Sequence, residues 1–188
     1  MRQVSVLRAP RRTMLALLIA AVAGGTGCRA TPAAAGAAGD GANAGAAMSD
    51  AAVIRLERGA CYGRCAEYAV ALFDDGTVFF DGRRAVAATG VHRRRIAASA
   101  VQALLDRHAA AIFAAGDTLY AEGRPGCGKY RPDGPTLRLT VSQGARRRTM
   151  TFDSGCEAAP RSIPTFATAI DSVAGTAMWT TTSGGSPR

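Results

Sequence analysis

Five cysteines divided one and four constrain this 188-residue chain more than any other feature. Cys28 stands alone near the N-terminus, while Cys61, Cys65, Cys127 and Cys156 lie downstream among residues patterned to fold. An even set of four in an exported domain is most simply two disulfides, because oxidising compartments cross-link thiols that a cytosol keeps reduced. Four cysteines allow three pairings, and spacing alone leaves all three open. One zinc site is the competing reading. It usually draws its ligands from two close pairs, whereas Cys127 and Cys156 stand far apart.

The segment before Cys28 indicates where those thiols would be oxidised. Arg2, Arg8, Arg11 and Arg12 precede an apolar run from Met14 to Ala23. That run is about half the roughly 20 residues a spanning helix needs. A charged start, a short apolar stretch and small residues ending in cysteine form the layout of a lipoprotein export signal, so residues 1–28 read as a signal with Cys28 as the lipidated residue. Thr26 and Gly27 suit the cleavage site, and Gly25 stands where Leu is usual. The rival is ordinary cleavage after Ala21-Val22-Ala23, which would release a secreted or periplasmic soluble protein. Arg29 is not the Asp that retains lipoproteins in the inner membrane, which points to the outer membrane, facing the periplasm.

Residues 29–50 are almost entirely Ala, Gly, Thr, Pro, Asn and Asp. Such a stretch has too little to bury to offset its chain entropy, and it reads as a tether. Residues 180–188 read the same way, as a tail. What remains, 51–179, is one domain by length and large enough for a true core. Four of the 23 basic residues and none of the 14 acidic ones lie in the signal, so a mature chain would carry +5 rather than +9. Outside the cytoplasm nucleic acid is not the expected partner. The surplus suits anionic lipid, an acidic envelope polymer or simple solubility.

Within the domain, residues 53–57 suggest a strand, and residues 67–74 alternate with Tyr68, Val70 and Leu72 on one face. Asp75-Gly76 predicts a two-residue hairpin turn, and Thr77–Asp81 runs back. Gly82 predicts a second turn into residues 84–89. The period then changes: Val101, Leu104, Leu105, His108, Ile112 and Phe113 mark one helix face, with Ser99 and Gln102 as a capping box. A long Gly- and Pro-rich loop, 116–135, is a segment that Cys127 could pin. Residues 137–141 and 148–152 form a hairpin about Gln143-Gly144, and Ile163, Phe166, Ile170 and Val173 mark a second helix that Pro160 and Pro164 introduce. This order predicts an α+β fold: an antiparallel sheet, an N-terminal meander plus a later hairpin, packed on one face by two helices.

The run Cys61-Tyr62-Gly63-Arg64-Cys65-Ala66-Glu67-Tyr68 resembles the opening motif, Cys-aromatic-Gly-x-Cys-Pro-x-Tyr, of an uncharacterised bacterial family of the DUF 6438 type. Ala66 replaces the usual Pro. The likeness continues through Asp75-Gly76-Thr77-Val78, Gly90-Val91-His92, Leu119-Tyr120, Asp133-Gly134-Pro135-Thr136, Gly155-Cys156 and Trp179. The resemblance implies an envelope-associated domain, often lipid-anchored, and brings no known activity. Together with locality in the chain, it favours the pairings Cys61–Cys65 and Cys127–Cys156.

No residue pattern spells out a reaction, and no catalytic, cofactor or metal residue is assigned. The Cys61–Cys65 spacing is C-x-x-x-C, not the C-x-x-C of thioredoxin-like redox sites. His92 and His108, the only histidines, belong to no G-x-S-x-G, H-E-x-x-H or Cys–His arrangement. Two arginine triplets, 93–95 and 146–148, concentrate positive charge. Arg148 alternates with inward Met150 and Phe152. That leaves Arg93, Arg94, Arg95, Arg146 and Arg147 as candidates to meet an anionic surface or polymer. The expected function is an envelope lipoprotein whose domain binds or scaffolds, its partner an anionic polymer or another envelope protein. The competing class is a periplasmic enzyme, either a thiol-disulfide oxidoreductase or a hydrolase.

Overall fold

Period-two alternation builds the sheet, and the computed structural model describes residues 51–181. Cys28, the signal, the tether and residues 182–188 lie outside the described residues. Seven strands form one sheet: β1 (Ile54–Arg58), β2 (Glu67–Leu72), β3 (Thr77–Arg84), β4 (Gly90–Arg95), β5 (Leu119–Tyr120), β6 (Thr136–Gln143) and β7 (Arg146–Asp153). Their spatial order is β4-β3-β2-β1-β6-β7-β5, antiparallel throughout except for β5 beside β7. The helices are α1 (Ala98–Ala114), α2 (Ser162–Ala174) and the short α3 (Ala177–Thr180). The fold is α+β, with a meander, a hairpin and two main helices, as the strand and helix periods predict.

One sheet face carries the core. Ile54 and Leu56 of β1, Val70 and Leu72 of β2, Val78 and Phe80 of β3, and Leu139 and Val141 of β6 are wholly buried. They share a cluster with Val101, Leu104 and Ile112 of α1 and with Ile163, Phe166 and Ile170 of α2. Burying side chains of this size contributes about 1.5–3 kcal/mol each. The opposite face holds a much smaller cluster, in which Ala69 and Ala71 are covered by neighbours such as Phe73 and Phe79.

Three local expectations are corrected. The β2–β3 connection is not a two-residue turn with both residues at positive φ. Gly76 donates to the Phe73 carbonyl and alone takes positive φ (83°), giving a type I turn closed by a left-handed glycine. Gly82 does not turn the chain; it lies inside β3. A Cβ there would meet the Ala88 carbonyl at 2.0 Å, so the glycine admits a loop that folds back over the strand. The return strand is therefore residues 90–95 rather than 84–89, and the first arginine triplet is part of the sheet. Finally, Ala97 is the N-cap of α1 with no side-chain cap, so the Ser99–Gln102 box does not form. Gln102 instead donates to Asp106 one turn on.

The chain closes on Trp179. Its ring stacks on Phe80 with centroids 4.9 Å apart, and its carbonyl accepts the Ala87 and Ala88 N–H groups at 2.8 and 2.9 Å. The β3–β4 loop is thus tied to the last helix. Trp179→Ala should destabilise the protein by about 3–5 kcal/mol in urea unfolding. A loss under about 1 kcal/mol would show that α3 is not part of the cooperative unit.

Candidate functional site

Both disulfides collect at one end of the sheet. The Cys61–Cys65 bridge closes the connection from β1 to β2, and Cys127–Cys156 ties the long loop to the segment after β7. Cys127 lies in a short 3-10 turn, Pro125–Cys127, and Tyr130 pairs with Cys156 as an isolated bridge. Cys127 and Cys156 are buried, whereas Cys61 and Cys65 are only half-buried. The two loops also touch: the Tyr62 N–H donates to the Asp133 carbonyl at 3.3 Å.

Tyr62 is the most exposed large apolar side chain among the described residues, at 86 %. It lies inside the short loop that the Cys61–Cys65 bridge closes. Next to it Gly63 and Arg64 line a hollow of about 240 Å³ with Arg84 and Ala85. Arg84 pairs with Glu67. Among the described residues Arg64 pairs with no carboxylate. Among the described residues two non-glycines take positive φ, Ala85 (52°) and Asp133 (75°), and both belong to this end. Such conformations cost of order 1–3 kcal/mol each and tend to gather at functional sites. Sequence reasoning missed this grouping, because Arg64 and Arg84 are twenty positions apart and nothing local brings them together.

Beside it lies a polar latch. Arg58 donates from Nε and Nη2 to Asp171 Oδ2 at 2.8 and 2.6 Å, and Tyr68 Oη donates to Oδ1 at 2.7 Å. Thr176 Oγ1 reaches Oδ1 at 3.2 Å. The cluster joins β1 and β2 to α2, and its members satisfy one another, which marks it as structural. Burial, then the Asp171 carboxylate, pushes the Tyr68 phenol up to about 12.

The arginine triplets do not form one patch. β4 and β7 are five strand intervals apart, about 24 Å at the usual spacing. Alternation also splits each triplet between faces. Arg94 turns to the helix side and donates to the Ala174 carbonyl at 3.3 Å, at the C-terminus of α2. Arg146 lies 3.9 Å over the Phe113 ring. Arg148 donates to the Phe113 and Asp117 carbonyls at 3.2 and 3.1 Å, and to Ala115, at the C-terminus of α1. Arg93, Arg95 and Arg147 share the open face, but Arg93 sits over Phe79 and Arg95 pairs with Asp75. Because β4 is an edge strand, its three successive arginines also discourage pairing with another chain.

His108 stacks on Phe166 with centroids 4.9 Å apart, and burial together with Arg107 lowers its pKa. His92 bonds the Thr89 carbonyl and lies beside Trp179. Asp75 and Asp153 hold turns, accepting the backbone N–H groups of Thr77 and Gly155. Among the described residues no three His, Cys, Asp or Glu side chains are grouped to hold a metal ion. No helix among them is long and apolar enough to cross a membrane.

Two outcomes are expected. Tyr68 has a folded pKa above the ordinary 10 of a phenol, so its contribution is whole below pH 10 and lost as pH rises towards about 12. The wild-type melting temperature should fall more steeply over that window than that of Tyr68→Phe, and parallel curves would refute the latch. For the bridges, Cys127–Cys156 spans 29 positions and Cys61–Cys65 only 4. Removing the longer bridge with Cys127→Ser and Cys156→Ser should cost about 3–4 kcal/mol and open the 116–135 loop to proteolysis. Removing the shorter should cost less, and equal melting temperatures for wild type and the Cys127/Cys156 double variant would contradict a stabilising role.

A search of curated proteins returns no match. Residues 52–174 match the model of the family described as Domain of unknown function (DUF6438), from just before β1 to the last residue of α2. The match covers well over half of the chain and carries no assigned activity. The chain belongs to the DUF6438 family.

Proposed function

We propose that this chain is an envelope lipoprotein, held by lipid on Cys28 and by the 29–50 tether, whose domain 51–179 binds or scaffolds and performs no chemistry. The observation that carries the reading is the use of all four downstream cysteines in two bridges. That usage is favoured where thiols are oxidised and disfavoured in a cytosol. The Gly25-Thr26-Gly27-Cys28 site supplies the anchor, and Arg29 directs it to the outer membrane, facing the periplasm. An anionic envelope polymer is the partner that a surplus of arginine favours, with another envelope protein as the alternative.

A thiol-disulfide oxidoreductase is the second reading, and one observation favours it: Cys61 and Cys65 are more accessible than Cys127 and Cys156. Against it, the bridge lies between two strands and not at a helix N-terminus, where a thiolate would gain stabilisation. In cells fed labelled palmitate the wild-type chain should take up label and sediment with membranes. Cys28→Ser should take up none and move to the soluble fraction. A mature chain beginning at Gly24 without lipid would overturn the anchor. Cycling of Cys61 and Cys65 at the potentials of periplasmic oxidoreductases would favour the enzyme instead.

A further inference from the structure

The hollow beside the Cys61–Cys65 bridge has features that a structural role does not explain. Its lining is Gly63, Arg64, Arg84 and Ala85, and Tyr62 precedes it in the chain. Arg64 is exposed and pairs with no carboxylate among the described residues, although the same end of the sheet holds Glu67, Asp133 and Glu157. Arg84 keeps most of its side chain in solvent, 60 %, while paired with Glu67. The Tyr62 side chain is exposed, while its backbone is held, because the bridge closes its loop and its N–H is bonded to Asp133. A loop backbone ordered in advance loses little freedom when a ligand arrives. The strained backbone at Ala85 and Asp133 flanks this same loop on either side.

These groups select a chemistry. Two arginines lining a hollow suit an oxyanion, which takes paired N–H donors from Arg64 and from the groups of Arg84 other than the Nε held by Glu67. The exposed phenol of Tyr62, two residues before Arg64 in the same loop, offers a flat apolar surface to a ring. At about 240 Å³ the hollow is smaller than the roughly 300–1,000 Å³ of pockets for whole drug-sized ligands, so it fits one ring unit with the rest of the molecule in solvent. Extended peptides are usually captured along an open strand edge or a helix groove. Here the lining comes from the bridged loop and from the end of β3, where Arg83 and Arg84 run past the β4 pairing and offer an edge too short for an added strand. We infer that this hollow binds an acidic saccharide, with Arg64 and Arg84 on the oxyanion of one sugar and Tyr62 against its ring.

The inference rests on the binding-module reading and not on the anchor: loss of the lipid would leave it standing, and its failure would leave the lipid in place. The test is titration calorimetry on the intact chain in nonionic detergent. Trigalacturonic acid is the probe, with maltotriose, inorganic phosphate and triglutamate as comparisons. Trigalacturonic acid should bind saturably, and the other three at least about tenfold more weakly. Arg64→Gln should weaken binding about tenfold or more, and Tyr62→Ala by about threefold to tenfold. Arg138→Gln, on an exposed arginine of β6, should change it less than about twofold. Melting temperatures should be unchanged in all three variants, since each side chain is exposed. Equal binding of triglutamate would replace the saccharide with an acidic protein. Equal binding of phosphate would reduce the site to a simple anion hole. An equal loss in Arg138→Gln would reduce it to a diffuse field, and no saturable heat with trigalacturonic acid would overturn it outright.

Discussion

β1 is bonded along both edges, to β2 and to β6, and the rest of the molecule is arranged around that double pairing. Ile54 and Leu56 sit where the meander and the hairpin meet, beneath the two helices. A strand paired on both sides with one face fully buried has a single acceptable register, because a slip of one residue would send Ile54 and Leu56 to the other face. The contacts that define this centre are distant in sequence. β6 lies some eighty residues beyond β1, across the first helix and the long loop, so loop closure must be offset before the central pairing rewards it.

The helices end on cations that their own sequences lack. Neither α1 nor α2 carries a basic residue in its last turn. Arg148 from β7 and Arg94 from β4 supply the charge from the sheet, each donating to carbonyls that a helix C-terminus leaves unpaired. Such contacts are worth about 0.3–1 kcal/mol on exposed helices and up to about 2 kcal/mol where partly buried. Part of the positive charge that looks like a binding surface in the sequence is therefore absorbed in holding helices to sheet. At the bridged end Arg58 is consumed in the same way by Asp171, whereas Arg64 is not.

The two bridges act on different scales. Cys127–Cys156 restrains a loop that has almost no regular structure beyond β5 and one 3-10 turn, so it replaces the hydrogen bonding and burial that the Gly- and Pro-rich sequence cannot provide. Cys61–Cys65 closes too short a loop to contribute much through chain entropy. Its effect is local: it fixes where Tyr62 and Arg64 stand relative to Arg84 and Asp133.

The sequence by itself determined the α+β class, the faces of β2, β6 and β7, and the buried face of both long helices, because these depend on periods of two and 3.6 that neighbouring residues carry. The inward turn of Arg148 was legible for the same reason. Tertiary structure alone decided what Gly82 and the first arginine triplet do. Gly82 reads as a turn until Ala88 is seen to fold over it, and residues 90–95 do not read as a strand until β3 is beside them. It also decided the latch at Asp171, whose partners Arg58 and Tyr68 lie more than a hundred positions away. The bridged end was half legible: Cys61, Cys65 and Tyr62 stand together in the chain, but Arg84, Ala85 and Asp133 reach that end only because strands of fixed rise bring their loops to the same end of the sheet.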